Sequence, residues 1–159
     1  YVVTNNNFGG LPIAKYTNMR TNLYSSVVTG LHCGINLRIM RYSDVLLRAA
    51  ECENELNGPT QQAIDWINQV RNRAGLGNLD NVTIDDIFNE RHLEFCGEGK
   101  RYFDLVRAEG ISGATEKASL KLVPDSYGYR TNTWTASKKH IPLSQSELDA
   151  DPTLVQNNY

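Results

Sequence analysis

Glu90 and Glu94 stand one helical turn apart in a segment, Glu90 to Arg107, that packs eight charged side chains and a histidine into eighteen residues. Two carboxylates roughly 5 to 9.5 Å apart are the machinery of glycoside hydrolysis, one holding a proton and the other ionised. The cations around this pair point to another use. Arg91 lies between the two glutamates, and beyond Gly97 and Gly99 come Arg101, Asp104 and Arg107 at three-residue spacing, which lines up opposite charges along a helix face. Guanidinium groups beside a carboxylate favour its ionised form and oppose retention of the proton a general acid must deliver. The segment therefore reads as an ion-pair lattice between two short helices, with Glu90 and Glu94 among Arg91, Arg101 and Arg107, and no catalytic residue is assigned.

Other reactive groups are sparse. His32, His92 and His140 are scattered without a second histidine or a cysteine at ligand spacing, so no metal site is expected, and His92 reads as a surface or helix-end residue. Cys33, Cys52 and Cys96 are odd in number and lack C-x-x-C spacing; they read as free, mostly buried thiols, with a Cys33–Cys52 or Cys52–Cys96 bridge left open. No nucleophile elbow, phosphate loop or dinucleotide fingerprint is present, and no cofactor is expected. Aromatic residues remain. Tyr127, Tyr129 and Trp134 are interleaved with Asp125, Arg130 and Asn132, the mixture of flat apolar faces and hydroxyl-binding groups that suits a sugar ring. The competing reading makes these rings loop anchors over a helical core. Trp66 and Tyr42 sit at helix-face positions and are expected in the core.

These groups have to be held by helices. From Leu37, Tyr42, Val45, Leu46, Ala49, Glu53 and Leu56 recur at helical spacing until Asn57-Gly58-Pro59 stops the run; Ala63, Ile64, Trp66, Ile67, Val70 and Ala74 then form a second amphipathic stretch ending at Gly75. Two helices joined by so few residues form a hairpin of tetratricopeptide type, of which about three stacked units are usually needed for stability. Thr83 with Asp86 makes a capping-box start for a third helix carrying Ile84, Ile87, Phe88 and Phe95. Gly97 and Gly99 break it. Residues 101–107 resume as a short helix with Tyr102, Phe103 and Leu105 as apolar contacts, and 108–137 lose all period and read as a long loop region. Ser144 to Asp149 reads as one helical turn between two prolines. Residues 1–36 are rich in Asn, Thr, Gly and Tyr and read as a loop-rich segment, with a short strand at 25–29; residues 37–159 form the second region.

At 159 residues with a net charge of -2, from 16 basic and 18 acidic side chains, the chain is long enough for a sizeable core and has no basic excess to hold nucleic acid. No run approaches the length of an apolar membrane span. The start at Tyr1, without Met, basic n-region or apolar h-region, is what a fragment or processed product would show.

Four separated blocks carry a family resemblance. They are Arg41-Tyr42-Ser43-Asp44; Asn68 to Leu76, reading Asn-Gln-Val-Arg-Asn-Arg-Ala-Gly-Leu; Glu90 to Leu105; and Ile141 to Tyr159. In this order they resemble the carboxyl-terminal part of the SusD/RagB family over residues 36–159. Three positions depart from the family pattern: Ser43-Asp44 stands for Ala-Glu, Asp151 for Asn and Asn158 for Gly. The resemblance implies a mainly helical, tetratricopeptide-like fold whose further repeat pairs lie upstream. It also implies non-enzymatic binding of a polysaccharide or oligosaccharide at the outer membrane surface of a Bacteroidetes-type cell. The implied protein is a lipoprotein, lipid-anchored through an amino-terminal part beyond this sequence, that delivers nutrient to a SusC-like TonB-dependent transporter. The other readings left open are a tetratricopeptide-like scaffold for a peptide or protein, and a carbohydrate-active enzyme using Glu90.

Overall fold

The computed structural model describes residues 38–122 and 134–157. The expected strand at 25–29, Cys33 and His32 lie outside the described residues. The chain divides into two compact units, residues 1–45 and 46–159. The described part of the first, residues 38–45, enters helix α1 (Tyr42–Asn57), which continues into the second. The second unit then holds α2 (Gln61–Arg73), α3 (Ile84–Glu94), α4 (Arg101–Arg107), α5 (Ala118–Lys121) and α6 (Gln145–Ala150), with short 3-10 turns at Ala108–Gly110 and Ala136–Lys139. Among the described residues there is no strand, and no helix is long and apolar enough to cross a membrane.

The helices begin and end where local chemistry requires. Thr60, whose hydroxyl donates to Glu53 (3.0 Å), caps α2 by accepting from the Ala63 amide (3.3 Å), so the helix starts just after Pro59. Its end has Gly75 at φ +77°, and the Leu76 amide returns to the Arg71 carbonyl (2.9 Å), the glycine-dependent closure that a side chain at position 75 would strain. For α3 the capping box forms as the sequence predicts: the Asp86 amide donates to the Thr83 hydroxyl (3.2 Å) while the Thr83 amide donates to the Asp86 carboxylate (2.9 Å).

One core joins the α1–α2 hairpin to the start of the next layer: Leu46, Leu47 and Ala50 of α1 meet Ala63, Ile64, Ile67 and Val70 of α2, together with Val82, Ile87 and Phe95. Trp66 packs half-buried against it, as expected. A second, smaller core gathers Ile84, Phe88, Ala108 and Ala114. The link between α2 and α3 is tied down by polar side chains, since Asn68 exchanges both amide hydrogen bonds with the Leu79 backbone (2.8 and 2.9 Å) and Asn54 donates to the Val82 carbonyl (2.8 Å).

Four expectations are corrected here. Tyr42 is 70 % exposed rather than a core residue, and Val45 and Leu56 are exposed as well. The buried stripe of α1 is instead Ser43, Asp44, Leu46, Leu47, Ala50 and Glu51, because an ionic partner lets the Glu51 carboxylate go inside. Cys52 and Cys96 are free thiols but exposed, not buried, and no Cys52–Cys96 bridge forms. The stretch 108–137 is not loop throughout: it contains the 3-10 turn at Ala108–Gly110, the start of the one at Ala136–Lys139, and α5, whose Ser119 amide is held by the Glu109 carboxylate (2.6 Å), a cap supplied from ten residues away. Phe103 is exposed while Leu105 is buried, so only the latter serves the core.

Candidate functional site

The charged lattice is real, with partners different from those expected. Arg91, fully buried on α3, forms a two-pronged pair with Asp104 on α4 (3.1 and 3.0 Å). Arg107 accompanies it, donating to Asp104 (3.1 Å) and with both terminal nitrogens to Glu51 on α1, the longer of these two bonds being 2.7 Å. Burial works against the Arg107 charge, but the hydrogen bond and charge of Glu51, and then Asp104, outweigh it and raise the group above its ordinary value. The aromatic rings complete the cage: Arg91 and Lys100 lie over Phe95 (5.0 and 5.1 Å) and Arg107 over Phe88 (4.9 Å).

Glu90 and Glu94, expected among Arg91, Arg101 and Arg107, pair instead with the preceding helix. Arg71 donates to Glu90 (2.9 Å), and Arg73 grips both oxygens of Glu94 (2.7 and 2.8 Å). Each carboxylate thus faces a guanidinium of α2, which is the arrangement of a structural clamp between α2 and α3 rather than of an acid and a nucleophile. The signal was present in the sequence, since Arg71 and Arg73 follow Val70 on the last turn of α2.

A second polar cluster ties α3, α4 and α5. Asp85 takes the Thr115 amide (2.7 Å) and its hydroxyl, and Glu116 collects Arg101 and Lys121 (2.6 Å to the latter). Burial raises both carboxyl groups, but hydrogen bonds outweigh it and leave each below its ordinary value: those from Thr115 for Asp85, those from Lys121 and Arg101 for Glu116. His92 is exposed, as expected; partial burial, then the Arg101 charge, lower it below its ordinary value.

Of the six aromatic and polar residues singled out for sugar binding, Trp134 is described; Asp125, Tyr127, Tyr129, Arg130 and Asn132 lie outside the described residues. Trp134 is half-buried and meets Tyr102 edge-on (centroids 6.4 Å, 65°), and Tyr102 in turn meets Phe103 edge-on (5.6 Å, 81°). The Tyr102 hydroxyl donates to the Lys138 carbonyl, fastening the 134–139 segment to α4. Trp134 is therefore partly a loop anchor, while Phe103, 59 % exposed, presents a ring to solvent next to Tyr102. Sequence reasoning gave Tyr102 and Phe103 as apolar contacts of a short helix; the contact of Tyr102 with Trp134 spans more than thirty residues and leaves no local signal. No group of three or more His, Cys, Asp or Glu that could hold a metal ion occurs among the described residues.

A helical hairpin feeding two further helices, pinned by buried arginine–carboxylate pairs and carrying an aromatic cluster at the loop junction, defines a helical-repeat scaffold. The profile of the SusD family matches residues 2–159, and the chain belongs to that family. Among curated relatives, SusD-like protein P25 of Formosa agariphila is 37% identical over 134 residues, covering 77% of this chain and 24% of its own length. Among solved structures, surface glycan-binding protein A from Bacteroides uniformis is 62% identical with a TM-score of 0.73, covering 77% of this chain and 27% of that one. Surface glycan-binding protein A from Bacteroides thetaiotaomicron is 51% identical with a TM-score of 0.66, covering 80% and 26%. The chain thus spans about a quarter of the length of the relatives it matches.

Proposed function

We propose that this chain is part of a surface glycan-binding protein that captures a polysaccharide or oligosaccharide without turning it over. The observation carrying this reading is the 62% identity and TM-score of 0.73 to surface glycan-binding protein A from Bacteroides uniformis. The whole protein acts at the outer membrane of the cell, held by a lipid anchor, and hands its ligand to a SusC-like TonB-dependent transporter. Sugar rings stack on aromatic faces while neighbouring polar groups take the hydroxyls. Trp134, Tyr127 and Tyr129 supply the faces, Asp125, Arg130 and Asn132 the hydroxyl partners, and Phe103, exposed on α4 and edge-on to the Tyr102 that meets Trp134, extends the platform. Glu90 and Glu94, each engaged by an arginine of α2, serve the scaffold.

The test is calorimetric titration of this chain and of a full-length version against a panel of plant, host and microbial glycans, with Trp134→Ala and Phe103→Ala as variants. Binding by both forms, lost in the two variants, supports the platform. Binding by the full-length protein alone moves the site elsewhere in the protein. Silence from both sinks the glycan reading and favours a peptide ligand on α1 and α2.

A further inference from the structure

We propose that the outward side of α1 is a helix-docking seam, filled in the full-length protein by a helix from the part of the polypeptide outside these 159 residues. The seam follows from spacing. Tyr42, Val45, Ala49, Cys52 and Leu56 advance along α1 by three, four, three and four residues, the rhythm that keeps one narrow stripe of a helix turned toward a partner helix. All but the half-buried Ala49 are exposed. At about 3.6 residues per turn, the stripe lies on the side of α1 opposite Leu46, Leu47 and Ala50, which belong to the core shared with α2. Glu53 borders it on one edge, Arg48 and Glu55 on the other, so an apolar strip runs between polar rims as in a protein interface.

The other helix of the hairpin has a different outer side. The exposed positions of α2 are Gln61, Gln62, Asp65, Gln69, Asn72 and Arg73, without one apolar side chain. A helical stack ends on a layer with a polar outer face, whereas inner layers keep apolar faces for their neighbours. By that rule α2 is an end of the stack, and α1 carries the face toward a further layer.

Length identifies the occupant. This chain spans 24% of SusD-like protein P25 and 27% of surface glycan-binding protein A from Bacteroides uniformis, leaving about three quarters of each outside it. A single hairpin also falls short of the about three stacked units that such folds usually need. A lipid surface is a poor match, because the rims carry Glu53 and Glu55 where a membrane-lying helix carries lysine and arginine. The seam does not depend on the glycan reading.

Cys52, in the middle of the stripe, supplies the readout. In the folded full-length protein its alkylation by N-ethylmaleimide, followed by peptide mass spectrometry, should run at least about a hundredfold slower than in the same protein unfolded in urea, because a covered thiol reacts only through opening. In the 159-residue chain, where the thiol is exposed, it should react at nearly the unfolded rate. Leu56→Asp in the full-length protein should abolish the protection and lower the urea midpoint. Leu56→Met should keep both, and Gln62→Asp, on the polar side of α2, should change neither. The measurement on the unsubstituted protein stands even where Leu56→Asp does not fold. The proposal is overturned if Cys52 of the folded full-length protein reacts within about threefold of the unfolded rate, or if Leu56→Asp folds with protection and midpoint unchanged. It is equally overturned if the 159-residue chain protects Cys52 as fully by itself; sedimentation as a dimer would then assign the seam to a second copy.

Discussion

Replacing Asp104 by alanine should cost several kcal/mol of stability, roughly the cost of breaking a buried ion pair. The carboxylate is buried, accepts two bonds from the fully buried Arg91 at 3.1 and 3.0 Å, and accepts a third from Arg107 at 3.1 Å. Removing it takes from the buried Arg91 guanidinium both of its bonds to α4. Breaking a buried pair by deleting one partner costs about 3 to 5 kcal/mol, most of it the penalty of the charge left behind. Taking about 4 kcal/mol and a urea slope of about 2 kcal/mol per molar, the unfolding midpoint should fall by about 2 M. Urea titration followed by far-ultraviolet circular dichroism measures it. The double variant Arg91→Met, Asp104→Leu removes both charges, and a buried pair replaced by apolar groups of similar volume is often neutral, so it should recover much of the loss. A cost below about 1 kcal/mol for Asp104→Ala, the range of exposed pairs, would refute the buried-lattice reasoning. So would a double variant as unstable as the sum of its parts.

Three further outcomes are expected. Thr83→Ala deletes the hydroxyl side of the α3 capping box and should lower stability by about 1 kcal/mol, read as a urea midpoint shift with unchanged slope. Gly75→Ala places a side chain at φ +77° where no neighbouring atom is within 4 Å, so the cost should be the backbone term alone, about 1 to 2 kcal/mol, without the larger penalty of a clash. Acid should weaken the α3–α5 corner selectively. Asp85 and Glu116 both sit below their ordinary 3.8 and 4.5, so their stabilisation is whole above those values and disappears as pH falls through the lower folded ones. Hydrogen exchange at residues 115–121 should rise there, and Glu116→Gln should flatten the dependence.

What could be read from the sequence was local. Thr83 and Asp86 are three residues apart and cap as predicted, Gly75 stops α2, and the glycines at 97 and 99 separate α3 from α4. The phase of α1 was not legible, because its buried face contains Ser43, Asp44 and Glu51, and periodicity counts polar residues as outward. Glu51 is inside only because Arg107 comes to meet it. The identity of the ion partners failed for the same reason: Glu90 and Glu94 were surrounded in sequence by Arg91 and Arg101, yet the helix that reaches them in space is α2 with Arg71 and Arg73. For the candidate platform, the sequence cluster named Trp134, while the fold supplied Tyr102 and Phe103, which share no motif with it.

Arg107 and Glu51 are 56 residues apart along the chain, and this separation sets an order of events. Bringing such distant groups together demands that the intervening chain already be closed, at an entropic cost that the local helix ends never incur. The α1–α2 hairpin and the capped start of α3 can form early, whereas the lattice is a late fastening on a structure already assembled. Substitutions within it then act chiefly on how fast the native chain comes apart and little on how fast it is made. The resistance of this scaffold to opening is thus governed by residues that contribute little to its assembly.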